Sequence, residues 1–146
     1  MAWLETKVPP LIVGFFCGGV AWALKRLFPE LSVGIPYAQW WALAAVATSM
    51  GLVFVALWSF RKARTTFDPH HPDRISALVT SGIYGWTRNP MYLGMALMIV
   101  AWCLRLSHGL GPIALVLFVV YMNRFQIIPE ERVLQQYYGD AYAAYR

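Results

Sequence analysis

Four apolar stretches divide the chain, and their lengths and borders predict its elements. Val8 to Leu24 is the first, with Pro9 and Pro10 placed where a helix begins and a missing N–H costs little. Trp40 to Phe60 is the second, close to the ~20 residues that one membrane span requires. Met91 to Leu104 and Pro112 to Met122 are shorter, and the polar, Gly-rich turn "RLSHGLG" separates them. The pair reads as a helical hairpin whose ends extend to Tyr92 and Arg124. His108, in that turn, reads as a solvated loop residue. Two polar segments remain, Arg61 to Asn89 and Glu130 to Arg146. In the second, Val133, Leu134, Tyr137, Tyr138, Ala141, Tyr142 and Tyr145 recur at helical spacing. Pro129 stands where that helix would start, and Glu130 and Glu131 suit the positive end of its dipole. Gly14-x-x-x-Gly18 allows another helix to approach the first stretch closely.

The pattern therefore predicts an all-α, polytopic membrane helix bundle. It has about four transmembrane helices, the last two forming a C-terminal hairpin, followed by an amphipathic tail helix. Residues 1–146 read as one integral membrane domain: two N-terminal spans over 1–60, then a loop, the hairpin and the tail over 61–146. Composition agrees. The chain is 59% hydrophobic and only 13% charged, where an ordinary soluble domain is about 25% charged. Seven Trp and eight Tyr suit aromatic belts at lipid–water boundaries. The net charge of +5 then speaks for topology and anionic lipid, not for nucleic acid. With a cytoplasmic N-terminus and four spans, nine basic residues fall inside: Lys7, Arg61, Lys62, Arg64, Arg74, Arg88, Arg124, Arg132 and Arg146. Three fall outside: Lys25, Arg26 and Arg105. Lys25-Arg26 is the discordant pair. The first stretch runs into it rather than into a signal-peptidase site. Cys17 and Cys103 sit in apolar runs and read as small hydrophobes. His70 and His71, in "DPHHPD", lack a third ligand at metal-site spacing, so no metal is expected.

Chemistry concentrates in "TSGIYGWTRNPMYLG", Thr80 to Gly94. Asn89 suits an N-cap and Pro90 an N1 position, so Arg88-Asn89-Pro90 can be plain helix punctuation. The same start aims free N–H groups and a positive dipole end outward, which with Arg88 suits a carboxylate or phosphate. Tyr84, Trp86 and Tyr92 add rings that attract cations, sulfonium ions included. Glu130 and Glu131 return to the same membrane face, where they can accept hydrogen bonds from an amine or a ribose. A lipid-binding membrane protein without activity could carry the same features.

"LVTSGIYGWTRNPMYLG" followed by "PEERVLQQYYGDAYAAY" resembles the isoprenylcysteine carboxyl methyltransferase and phospholipid methyltransferase group of integral membrane enzymes. The resemblance covers Thr65 to Arg146 and implies use of S-adenosylmethionine at the cytoplasmic side, on a lipophilic acceptor such as an isoprenylcysteine-like carboxylate or a lipid head group. It implies cofactor contacts from Ser76, Ala77, Leu78, Val79, Tyr84, Asn89, Pro90, Met91, Tyr92, Glu130 and Glu131. Arg88 and Asn89 take the catalytic positions. A family arginine implicated in substrate binding falls at Gln126, with Arg124 the nearest basic residue. Asn89 stands where the family often has histidine, and Ser76 where its strip usually begins with one. These departures leave the acceptor open among carboxylate, amine and thiol. A non-catalytic membrane module of the same fold and a related membrane reductase are the alternatives. Methyl transfer is an in-line attack in which the cofactor supplies reactivity and the protein supplies position and electrostatics.

Overall fold

The computed structural model describes residues 5–62 and 78–146. Four helices run back and forth: α1 (Pro10–Leu27), α2 (Ala38–Lys62), α3 (Pro90–Leu106) and α4 (Gly111–Met122). α4 continues without interruption through a π-helical turn (Asn123–Ile127) into α5 (Ile128–Tyr138), and α6 (Asp140–Tyr145) follows. α1, α2 and the joined 111–138 helix are long and apolar enough to cross a membrane. α3, with 17 residues, spans about 25 Å, slightly less than the ~30 Å hydrocarbon core. The expected membrane bundle and hairpin are therefore present.

α3 is the central member, packed on α2, α1 and α4. Gly94 sets its approach to α2: a Cβ there would meet Val53 Cγ2 at 2.9 Å and the Ser49 carbonyl at 3.3 Å. Ser49, buried in the contact, donates to the Gly94 carbonyl at 2.7 Å. Gly14 and Gly18 mark the corresponding face of α1, the first against Phe118 and the second against Trp102. Trp102 Nε1 donates to the Gly18 carbonyl at 3.0 Å. The core is apolar, built around Val13, Cys17, Ala21, Ile99, Ala114, Phe118 and Met122.

The end of the bundle far from Arg88 is stitched by the 28–37 loop. Val33 N–H donates to Ser107 O and Gly109 N–H to Leu31 O, each at 2.9 Å. His108 corrects its reading as a solvated loop residue. It is buried, with Nε2 2.9 Å from the Phe28 carbonyl, because this loop folds over the hairpin turn. Lys25, half of the discordant basic pair, donates to the Leu106 carbonyl at 2.7 Å and so closes the C-terminus of α3.

The tail also differs from expectation. Pro129 does not begin a separate helix; it lies within the continuous 111–138 helix. Proline has no N–H, so it frees the carbonyl four residues before it. That carbonyl, Phe125 O, accepts the Thr6 N–H at 2.9 Å, and the preceding turn loosens to i→i+5 bonding, with Ile128 N–H on Asn123 O. The helix ends instead at Gly139, whose φ of +50° and ψ of −121° strongly favour glycine. There the chain turns and α6 folds back.

Candidate functional site

The N-terminus of α3, the turn before it, and α5 with α6 enclose one cleft. Its walls include Phe60, Leu78, Val79, Tyr84, Arg88, Asn89, Pro90, Met91 and Tyr92 from the first half, and Glu130, Glu131, Leu134, Tyr138, Tyr142 and Tyr145 from the tail. The two motifs, separated in sequence, thus face one another. Ser76 and Ala77, like His70 and His71, lie outside the described residues.

Tyr84 rides on a short 3₁₀ turn, Gly82–Gly85, entered through Gly82 at φ +66°. Its ring meets Phe60 edge-on at 5.1 Å, and its carbonyl accepts the Tyr145 hydroxyl at 2.6 Å. Burial raises the Tyr84 hydroxyl pKa above its ordinary value, and Tyr145 adds to the rise. Asn89 does begin α3, but its side chain makes no capping hydrogen bond. Its own N–H reaches Thr87 Oγ1 at 3.3 Å, leaving the amide side chain in the wall of the cleft. Arg88 pairs with Glu131 at 2.8 Å. Tyr142 is buried beside them; burial raises its hydroxyl pKa, Glu131 reinforces this, and Arg88 and Arg146 oppose it.

Glu130 is only 4% exposed. One carboxylate oxygen accepts the Tyr92 hydroxyl at 2.5 Å. The other, Oε2, is buried without a hydrogen-bond partner, as is the Tyr84 hydroxyl. An unsatisfied buried carboxylate oxygen is costly, and in a cleft it marks a place for a donor. The arrangement can accept hydrogen bonds, surround a cation with rings, and offer apolar wall to a flat group.

Not every expected residue is here. Trp86 is 92% exposed and does not line the cleft. Phe60, Tyr138, Tyr142 and Tyr145 supply rings instead. The tail tyrosines had a visible signal in their helical spacing, but which of them face inward depends on the break at Gly139. Gln126 is buried with Nε2 donating to the Val8 carbonyl at 2.7 Å. Arg124 reaches Glu5 at 3.2 Å, as does Arg132. Both Arg124 and Gln126 thus hold the segment leading into α1 and do not line the cleft.

Fold and cleft together define a multi-pass membrane protein with a polar site at one end of a helical bundle. The sequence matches the phospholipid methyltransferase family over residues 37–141, and the chain belongs to that family. It is also similar to an uncharacterized protein of Haemophilus influenzae (strain ATCC 51907 / DSM 11121 / KW20 / Rd), 38% identical over 56 residues, which are 38% of this chain and 89% of that one. No solved structure matches it.

Proposed function

We propose that this chain is an S-adenosylmethionine-dependent methyltransferase that binds its cofactor at the cytoplasmic membrane face and acts on a lipophilic acceptor. The observation that carries the reading is the convergence of the two motifs on one cleft that holds an unsatisfied Glu130 oxygen and an unsatisfied Tyr84 hydroxyl. These residues fit the cofactor. Glu130 Oε2 would accept from a ribose hydroxyl or the amine. The rings of Tyr84, Tyr92 and Tyr142 favour the sulfonium, and Leu78, Val79 and Leu134 give apolar wall to the base. The bound cofactor would supply an activated methyl group. Arg88, held by Glu131, would orient an anionic group, either the cofactor carboxylate or the acceptor.

The cytoplasmic assignment rests on the nine-to-three distribution of Lys and Arg. Entry from the bilayer is supported by the position of the cleft at the start of a membrane helix. A carboxylate or thiolate acceptor would attack without a general base; an amine would arrive deprotonated.

Titration calorimetry of the detergent-purified chain tests cofactor binding, with S-adenosylmethionine and its demethylated product as ligands. Binding of both is expected, and silence from both at millimolar concentration overturns the reading. Membranes given cofactor with a labelled methyl should then place label in the lipid-extractable fraction. Label confined to water-soluble products would remove the lipophilic acceptor.

A further inference from the structure

A second site lies at the other end of the bundle. α1 packs on α3 and α4, α2 packs on α3, and a groove of about 910 Å³ remains between α1 and α2. That is near the top of the about 300–1,000 Å³ range of small-molecule sites. Its lining is almost wholly apolar, with Gly14, Gly18 and Gly19 opening its α1 side. Along α3 it runs from Met95 to Arg105. Ten residues of helix rise about 15 Å, half of the ~30 Å hydrocarbon core. The groove is therefore one leaflet deep, the length for an acyl chain and not for a second full-length helix.

Its polar end continues into another cavity of about 350 Å³, lined by Tyr37, Gln39, Trp40, Arg105 and Ser107. Arg105 and Gln39 line both spaces. An apolar slot joined to a polar chamber through a guanidinium has the shape and polarity of a single amphiphile. Arg105 has no carboxylate partner among the described residues. Arg26 lies 5.4 Å over the ring of Trp22, which itself lines the groove. Two cations thus flank one end of the slot, and Glu30, the acid of the adjoining loop, pairs with neither. A snorkelling arginine alone would serve the interface generally; the joined cavities make this one the head of a groove.

We propose that the groove binds an anionic glycerophospholipid of the leaflet opposite the candidate methyl-transfer cleft, with the chain between α1 and α2 and the phosphate at Arg105. The cleft opens at Pro90, the other end of α3, so this lipid is not the methyl acceptor and the inference does not rest on the proposed activity. It also gives the discordant Lys25-Arg26 pair a use: Lys25 closes α3, and Arg26 faces the lipid.

Native mass spectrometry of the delipidated full chain, equilibrated with equimolar phosphatidylglycerol and phosphatidylcholine in mixed micelles, decides it. Each basic side chain near an anionic head group is worth about fivefold in binding. The wild-type chain should retain phosphatidylglycerol at least about fivefold over phosphatidylcholine, and Arg105→Gln should lose about fivefold of that preference. Gly19→Leu should exclude both lipids, because a Cβ at Gly19 meets nothing within 4 Å and the added side chain has the groove to fill. A matching melting curve for each variant shows that the fold is kept. Equal retention of the two lipids by the wild type overturns the proposal, as does an unchanged preference in Arg105→Gln. So do lipid-free dimers that Gly19→Leu prevents, which would give the groove to a second copy.

Discussion

The Tyr92 hydroxyl and Glu130 Oε1, in residues 38 positions apart, share a hydrogen bond of 2.5 Å that ties the first turn of α3 to the first turn of α5. The bond satisfies one oxygen of a buried carboxylate and leaves its sister, Oε2, bare in the cleft. A bare buried carboxylate oxygen works against stability, and in a cleft it offers a place for a donor. Burying an incompletely compensated charge is costly, and a neutral amide in its place removes that charge while still accepting from Tyr92. Glu130→Gln should therefore melt at or above the wild-type temperature, yet lose about 1.5–3 kcal/mol of cofactor affinity, the value of a hydrogen bond to a charged group. Thermal melting and calorimetry on the same sample check both halves. Lower stability with unchanged affinity would make Glu130 a structural residue. Tyr92→Phe, which strips the carboxylate of its donor, should instead destabilise by about 1–3 kcal/mol.

Gly94 provides a control in the fold itself. A methyl at this position meets Val53 at 2.9 Å and, less yieldingly, the Ser49 backbone at 3.3 Å. Gly94→Ala is expected to destabilise by about 1–3 kcal/mol through overpacking, despite the better helix propensity of alanine. Ser49→Ala, which removes only the hydrogen bond to Gly94 O, should cost about 0.6 kcal/mol, the average for such bonds between membrane helices. Equal losses in the two variants would show that the close approach is not the limiting contact.

Much of this was legible in the sequence, and the rest has physical reasons for being hidden. The apolar runs and the RLSHGLG turn marked α1 to α4, because a span must satisfy its backbone internally and be apolar over its length. The helix start at Pro90 was readable from the Asn-Pro pair, the return of Glu130 and Glu131 to the face of the Tyr84–Tyr92 region followed from the number of spans, and a shared site for them was implied by the family resemblance. The role of His108 was not, because nothing local says that the 28–37 loop folds over it. Pro129 looked like a start signal, since a proline inside a helix is rare; here the Thr6 N–H supplies the donor that its vacated carbonyl needs. Asn89 has the identity of a capping residue, and only the geometry shows its side chain left uncommitted to the cap.

The cleft as it stands encloses about 60 Å³, well below the about 300–1,000 Å³ of small-molecule sites, so a ligand has to displace part of the wall. α6 closes one side of the cleft: it follows the turn at Gly139 and is held by buried Tyr142, by Tyr145 Oη on Tyr84 O, and by Arg146 4.0 Å from Glu131. If opening is needed before binding, its cost lowers apparent affinity. Tyr145→Phe removes one neutral hydrogen bond, about 0.5–1.5 kcal/mol, and should tighten cofactor binding by up to that amount while lowering the melting temperature. Weaker binding in this variant would make Tyr145 a ligand contact and not a latch.

Arg88 separates helix punctuation from function. Its ion pair with Glu131 is 2.8 Å long, but the Arg88 side chain is 37% exposed, and a pair so hydrated is worth only about 0–1 kcal/mol. Lysine could keep that pair, so stability should fall by less than about 1 kcal/mol in Arg88→Lys. The planar, two-pronged guanidinium cannot be kept, and a carboxylate or acceptor that relies on it would be held poorly. Turnover should drop at least about tenfold, roughly 1.4 kcal/mol in the transition state. Asn89→Asp probes the neighbouring position. Aspartate caps helices as well as asparagine does, and the Asn89 side chain makes no cap here in any case, so the fold should not suffer. A third carboxylate beside Glu130 and Glu131 would repel an anionic ligand, and binding should weaken more than in Arg88→Lys. Labelled-methyl transfer and cofactor calorimetry on both variants read the outcome. Wild-type turnover in both would reduce Arg88-Asn89-Pro90 to the start of a helix.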